Sequence, residues 1–149
     1  MCIGLIAQHM HVLVPTDGSD PAEAALDHAF ERFADDDITA LYVMDPVEGA
    51  TAWGPATGED WLGSAEKRAE TVLGEAVERG EEMGVEIETD SVVGRPSRAI
   101  IDYAEEHDLD QIVIGSHGRD GITRVLLGSV AETVIRRSPV PVTVVRDRE

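Results

Sequence analysis

The chain has 149 residues, of which 42% are hydrophobic, so it can form one domain with a core of its own. Its 30 acidic and 12 basic residues give a formal net charge of −18, which disfavours binding to nucleic acid or to an anionic membrane surface. A single cysteine, Cys2, excludes an intramolecular disulfide, and the apolar runs are too short to span a membrane, so we expect a soluble cytoplasmic protein.

Two short apolar runs in the first third of the chain predict strands. Residues 11–15 form the first run, and residues 38–44 form a continuous second run that is typical of a strand buried on both faces. Between them, Asp20 is expected to cap a helix, with Pro21 at its first position and Glu23 completing a capping box. This part of the chain therefore predicts a strand, a helix and a second strand.

The middle of the chain continues the alternation. Residues 45–58 are rich in Gly, Pro and Ala and are predicted to be a loop. A long amphipathic helix follows and is expected to stop near Gly80 or Gly84. Apolar and acidic residues then alternate from residue 85, so that residues 85–94 predict a half-exposed strand, after which Pro96 opens a short helix.

The last third predicts two strands that flank a glycine-rich loop and a helix. Residues 111–115 form a buried strand, and the glycine-rich loop runs from residue 115 to 128. Ser129 then starts a helix and is a candidate to cap it. The last strand covers residues 140–145, and Pro141 within it removes a backbone donor, which predicts a position at a sheet edge.

The alternation as a whole predicts an α/β fold. We expect a single open, mostly parallel five-stranded sheet with helices on both faces. Ligands of such sheets bind beyond the carboxyl ends of the strands, which here are Asp17, residues 44–45 and Gly115. An exposed apolar edge is prone to association, so we expect a second copy to cover the last strand in a homodimer, through Val140, Val142 and Val144.

The glycine-rich loop contains the residues that are most suited to binding an anionic ligand. Its glycines let the backbone approach a ligand closely, and consecutive N–H groups can cradle an anion. Gly128 and Ser129 stand where a helix begins, and the free N–H groups and dipole of that helix favour phosphate. Arg119 and Arg124 would add positive charge to an acidic protein. The alternative is a surface loop that only connects two elements.

The loop also carries the strongest resemblance to a known family. Its spacing, G-2x-G-9x-G-[ST] at Gly115, Gly118, Gly128 and Ser129, resembles the nucleotide-binding signature of the universal stress protein (UspA) family. The resemblance covers residues 10–146, so that residues 1–9 are expected to be an extension before a domain of residues 10–149. Four further motifs agree in order and spacing: Val14-Pro-Thr-Asp-Gly-Ser, Gly94-Arg-Pro, Leu126-Leu-Gly-Ser-Val and Pro139-Val-Pro-Val-Thr-Val-Val.

The resemblance implies a set of site residues and a cofactor. In ATP-binding members, the position of Asp17 contacts the adenine or its ribose side, Val43 meets the adenine through its backbone, and Pro15 and Thr16 line the adenine pocket. The cofactor is then ATP, with Mg²⁺ or Mn²⁺ held by its phosphates. The residues that hold ribose and phosphates are Gly115, Ser116, Gly118, Arg119, Gly128, Ser129 and Val130. Members typically dimerise through the last strand.

Competing enzyme classes lack their motifs here. An adenylating enzyme would need a serine- and glycine-rich phosphate loop at residues 15–19, and GxxxxGK[ST] and GxGxxG sequences are absent. Asp17 can also be read as a turn residue alone, and His117 is expected to be a solvated loop residue without a partner. With no catalytic residue and no metal ligands assigned, we expect a dimeric ATP-binding regulatory module with at most slow hydrolysis. The alternatives are a nucleotide-independent dimeric scaffold and a genuine ATP-hydrolysing or nucleotidyl enzyme.

The kind of charge is as informative as its amount. Lys67 is the only lysine, and all other basic residues are arginines. Many carboxylates with scarce lysine are typical of a salt-adapted protein, because molar salt shortens the Debye length to about 3 Å and screens self-repulsion. We therefore expect a halophilic protein, with an acidic mesophilic protein as the alternative.

Overall fold

The computed structural model describes residues 9–46, 58–117 and 127–146. Strands and helices alternate along these ranges. The elements are β1 (His11–Pro15), α1 (Asp20–Arg32), β2 (Asp37–Met44), α2 (Gly58–Glu82), β3 (Glu88–Val93), α3 (Pro96–Glu106), β4 (Gln111–Gly115), α4 (Ser129–Arg137) and β5 (Val142–Val145).

The strands form one parallel sheet in the order β3-β2-β1-β4-β5. This order confirms the predicted α/β fold and places β5 at an edge, as the sequence indicated. The strand order reverses between β1 and β4, because the chain proceeds outward from β1 through β2 to β3 and then returns to β4. The sheet therefore has a switch point between its two central neighbours.

Successive residues along the strands face opposite helical layers, because side chains of a strand alternate between the two faces. On β2, Ala40 and Tyr42 pack into a core with α1 and α2, whereas Leu41 and Val43 pack into a core with α3 and α4. Phe30 of α1 is fully buried in the first core. Two apolar cores therefore enclose the sheet and hold the carboxyl ends of its strands in place.

The start of α1 differs from the sequence prediction. The helix is capped by Ser19, whose Oγ accepts a hydrogen bond from the Ala22 N–H at 3.4 Å, so Asp20 is the first helical residue and not the cap. Glu23 lies one position beyond the capping box, and its carboxylate is 3.8 Å from the Arg79 guanidinium of α2. The predicted Asp20–Glu23 box is wrong because serine one residue earlier supplies the acceptor.

Two strands, β3 and β5, are shorter than the sequence predicted. Residues 85–87 precede β3, because Gly84 adopts a positive φ of 75° and the Val85 N–H closes the end of α2 on the Gly80 carbonyl at 2.8 Å. Pro141 lies just before β5, where its carbonyl accepts from the Ile112 N–H at 3.0 Å. The edge position of β5 was thus predicted correctly, although Pro141 is not part of the strand.

A tyrosine links α3 to β3 and gives a pH-dependent prediction. The Tyr103 hydroxyl donates to Asp90 at 2.9 Å, and burial, with Asp90, raises the pKa of Tyr103 from 10.0 to about 12. A raised pKa in the folded state means that this group stabilises the fold below pH 10.0 and that this stabilisation is lost as the pH rises to about 12. In chemical denaturation across that window, the wild type should lose more stability than Tyr103→Phe. Parallel losses would contradict the assignment.

Candidate functional site

The switch point is where a sheet of this kind forms a ligand crevice, and here β1 and β4 pair only at their beginnings. The paired positions are Val12 with Gln111 and Leu13 with Ile112. Alternate residues of a strand turn their backbone groups to the same neighbour, so the backbone of Pro15 faces β4, as that of Leu13 does. Proline has no N–H to donate, which ends the ladder on this side.

Beyond this point β1 continues to pair with β2, and β4 continues to pair with β5. The β1–β2 register continues to Pro15 opposite Leu41, and the Thr16 N–H then donates to the Leu41 carbonyl at 2.9 Å. On the other side, the Ser116 N–H donates to the Val145 carbonyl of β5 at 2.8 Å. The carboxyl ends of β1 and β4 are therefore held to opposite halves of the sheet, which is the arrangement that forms a ligand crevice at a switch point.

A tight turn forms the β1 side of this crevice. Thr16 is buried, and the Asp17 Oδ1 accepts from the Ser19 N–H at 2.9 Å. Gly18 adopts a φ of 83°, a left-handed conformation that favours glycine. Asp17 thus has a turn-forming role, which agrees with the alternative reading of this residue, and the same turn holds it at the mouth of the crevice.

The start of α4 forms the opposite side. The Gly128 N–H donates to the Ser116 carbonyl at 2.6 Å, which fixes the helix start next to the end of β4. Gly128 is the N-cap, so the prediction that Ser129 caps the helix is wrong: Ser129 is its first residue. The first intrahelical hydrogen bond runs from Glu132 to Gly128, and the N–H groups of Ser129 and Val130 precede it. Without a capping side chain, this helix end can accept an anion.

The glycines at both ends of the loop lie in close packing, which is tighter at Gly115 than at Gly128. A Cβ on Gly115 would lie 2.7 Å from the Pro21 carbonyl carbon and 2.8 Å from its oxygen. A Cβ on Gly128 would lie 3.0 Å from the Cα of His117. Gly115 therefore lets α1 approach β4, a role that needs no ligand, and Gly128 lets α4 approach the residues after β4.

Val43 lies where the prediction placed it, on β2 beyond the end of β1. It pairs with Val92 of β3, and it follows Leu41 by two residues. Its backbone N–H and carbonyl therefore turn to the same side as those of Leu41, which is the side of β1 and of the crevice. Its half-buried side chain packs toward α3 and α4.

The structure thus groups most of the predicted site residues around one crevice. Gly118, Arg119 and the additional arginine Arg124 lie outside the described residues. The residues at the crevice are Pro15, Thr16, Asp17, Val43, Gly115, Ser116, Gly128, Ser129 and Val130.

His117 has a partner that the sequence analysis did not assign. Its Nδ1 lies 3.2 Å from the Oγ of Ser116, and Ser116 is only 2% exposed. The expectation that this histidine has no partner is therefore wrong, and the residue itself is only half-buried. The adjacent serine was the available signal, but two neighbours in a loop need not point at each other, so sequence alone does not establish the contact.

Two other kinds of site are absent from the same ranges. Within residues 9–46, 58–117 and 127–146, there is no group of three or more His, Cys, Asp or Glu side chains that could hold a metal ion. None of the helices in these ranges has the length and apolar character needed to cross a membrane. A groove of about 540 Å³ lies between α2 and β3, away from the switch point.

Comparison with known sequences decides the family. A sequence model of the universal stress protein family matches residues 9–146, which is nearly the whole chain. The chain belongs to the universal stress protein family. The resemblance predicted from the glycine spacing is thereby confirmed.

Relatives of this universal stress protein share both sequence and fold. It is 38% identical over 141 residues to universal stress protein MJ0531 of Methanocaldococcus jannaschii, covering 91% of this chain and 81% of the relative. The structure of MJ0577 from the same organism matches with a TM-score of 0.81 at 31% identity, over 96% of this chain and 99% of that one. A universal stress protein solved in complex with cAMP matches with a TM-score of 0.73 at 30% identity, over 95% of this chain and all of the other.

Proposed function

We propose that this universal stress protein binds an adenine nucleotide in the crevice between β1 and β4 and acts as a regulatory stress-response module. The observation that carries the proposal is the uncapped start of α4, which the Gly128–Ser116 hydrogen bond holds beside the diverging strand ends. A helix start of this kind attracts phosphate at a sheet switch point. The relative that was solved with cAMP supports an adenine ligand.

The roles of the residues follow from their places around the crevice. The N–H groups of Ser129 and Val130 are suited to phosphate oxygens, and the Ser129 hydroxyl adds a donor. The backbone of Val43 is suited to the edge of the adenine, with Asp17 toward the adenine or ribose. Pro15 and Thr16 would line the adenine pocket, and Gly115 and Ser116 would support the ribose. The proposal extends to Gly118 and Arg119, which complete the glycine signature.

ATP is the nucleotide that we propose, in keeping with the glycine signature. Mg²⁺ or Mn²⁺ would be held by its phosphates, because the described residues offer no protein cluster for a metal. The uncapped helix start and the backbone donors fit a polyphosphate. Protein purified in molar KCl and then denatured should release an adenine nucleotide that mass spectrometry identifies.

A binding module and a true ATPase differ in turnover. The Ser116–His117 contact has no carboxylate partner among the described hydrogen bonds, so we expect at most slow hydrolysis. Steady-state ATP turnover, with Asp17→Ala for comparison, separates the two. Multiple turnovers per second that fall with Asp17→Ala would favour the enzyme alternative, and a protein that binds no nucleotide would favour the scaffold.

We also propose a homodimer through β5. The strand is at the sheet edge, its four residues are half-buried, and Ile135 of the adjoining α4 is 43% exposed. Val140, Val142 and Val144 are half-buried against the core of their own chain, and their remaining exposed parts would form the contact. Light scattering should give the mass of two chains, and Val144→Asp should reduce it to one. A single-chain mass for the wild type at working concentration would contradict the dimer.

Salt adaptation is the remaining part of the proposal. We place the domain at residues 10–149, after an extension of residues 1–9, in a salt-rich cytoplasm. With a net charge of −18, self-repulsion should decrease as KCl rises from about 0.1 M to about 2 M, so the melting temperature should increase. Circular dichroism measures it, and sucrose at matched osmolality is the uncharged control. A flat or falling melting temperature would contradict salt adaptation.

A further inference from the structure

The groove between α2 and β3, called here the α2–β3 groove, has a volume of about 540 Å³ and lies at the edge of the sheet opposite β5. One wall is a stripe of α2 that includes Glu66, Glu70 and Gly74. The other wall is β3, through the side chains of Thr89 and Ser91. The groove therefore runs along an edge strand, which lies two strands from β1 and the switch point.

The outer edge of β3 offers backbone groups for a further strand. The Gly94 N–H donates to the Met44 carbonyl of β2, so residues an even number of positions away also turn to β2. The backbones of Thr89, Ser91 and Val93 therefore turn outward. The Ser91 N–H is taken by the Asp90 carboxylate at 2.8 Å, and Val93 is 53% exposed. Edges of this kind recruit extended segments of other chains.

Gly74 leaves one position on the helical wall of the groove without a side chain. It lies inside α2, where glycine weakens a helix relative to alanine. A Cβ at this position would meet no atom within 4 Å, so packing among the described residues does not require glycine there. The missing side chain lets another backbone come close to the helix.

The charges on the helical wall indicate which kind of segment would bind in the groove. Glu66 and Glu70 are exposed, and the described residues that line the groove include no lysine or arginine. Residues four apart on a helix are separated by about 6 Å along its axis, and alternate residues of a strand by about 6.7 Å. Two cationic side chains on one face of an extended segment therefore match the two carboxylates.

We propose that the α2–β3 groove binds an extended cationic segment of a partner protein. The segment adds to the outer edge of β3 as a further strand, and lysine or arginine side chains two residues apart face Glu66 and Glu70. The backbone groups of Thr89 and Val93 supply the strand pairing. The hydroxyls of Thr89 and Ser91 lie on the same face as the two cationic side chains and contact their stems. This site is independent of the nucleotide crevice.

A labelled peptide tests the charge part of the proposal. The probe is a short fluorescein-labelled peptide in which threonine and lysine alternate, measured by fluorescence anisotropy at the lowest KCl concentration that preserves the far-UV spectrum. Glu66→Lys with Glu70→Lys should weaken binding by about tenfold or more. The control, Glu75→Lys with Glu78→Lys, changes the net charge equally on α2 outside the groove and should change the affinity less than about twofold.

A second variant tests the strand part. Thr89→Pro removes an outward-facing N–H and leaves the β2–β3 ladder intact, so the fold should persist while peptide binding falls by a similar factor. A peptide of the same composition with its lysines adjacent should bind more weakly. Equal losses of peptide affinity in the Glu66/Glu70 variant and in the Glu75/Glu78 control would overturn the proposal. The absence of saturable binding by the wild type would overturn it as well. A smaller mass for unliganded Thr89→Pro would also overturn it, because a second copy would then occupy the groove.

Discussion

Replacing Gly115 with alanine is expected to lower the free energy of unfolding by about 2–3 kcal/mol. The new Cβ would lie 2.7 Å from the carbonyl carbon of Pro21, 2.8 Å from its oxygen and 2.9 Å from its Cβ. Two of these are backbone atoms of α1, so space can come only from moving the helix start or the end of β4. Either movement disturbs the buried contacts between α1 and the sheet.

Urea denaturation at constant KCl measures this loss. A matched control is Gly63→Ala, because Gly63 lies inside α2 and a Cβ there meets no atom of the described residues within 4 Å. Alanine is the better helix former, so this variant should be more stable by up to about 1 kcal/mol. Unchanged stability in Gly115→Ala would mean that α1 does not approach β4 as closely as described.

Replacing Gly128 with alanine is expected to weaken ATP binding by about tenfold or more, equivalent to about 1.4 kcal/mol. The added Cβ would lie 3.0 Å from the Cα and 3.1 Å from the Cβ of His117. The start of α4 must then shift relative to the end of β4, which misdirects the N–H groups of Ser129 and Val130. Alanine is also a poorer N-cap than glycine.

Gly94→Ala is the matched control for this variant. Gly94 also lies between the end of a strand and the start of a helix, but among the described residues a Cβ there would meet only the Cβ of Ala99, at an ordinary 3.5 Å. We expect its ATP affinity to equal that of the wild type. Equal affinities of all three proteins would contradict the placement of the phosphates at the start of α4.

The fold was predictable because each buried strand is a continuous apolar run and each helix has its own period. The errors lie at element ends, where one hydrogen bond decides the boundary. Ser19, and not Asp20, caps α1. After the turn at Gly84, the Val85 N–H donates to the Gly80 carbonyl at the end of α2, so β3 begins later than predicted. Such choices depend on local geometry that the residue types alone leave open.

The candidate site was predictable in position, since the glycine spacing and the strand ends both pointed to the switch point. The physical reasons were not predictable, because they are contacts between distant segments. The absence of a side chain at Gly115 makes room for Pro21 of α1, which lies nearly a hundred residues earlier in the chain. Pro15 ends the β1–β4 ladder. The α2–β3 groove likewise exists only once α2 and β3 are packed side by side.

Calorimetric titration of ATP into nucleotide-free protein in molar KCl tests the central claim most directly. We expect saturable binding to one site per chain in the wild type and in Gly94→Ala, with a much weaker interaction in Gly128→Ala. No saturable binding by the wild type at millimolar ATP would contradict it. The glycine segment would then serve only the packing of α1 and α4 against β4, and the protein would be a nucleotide-independent scaffold.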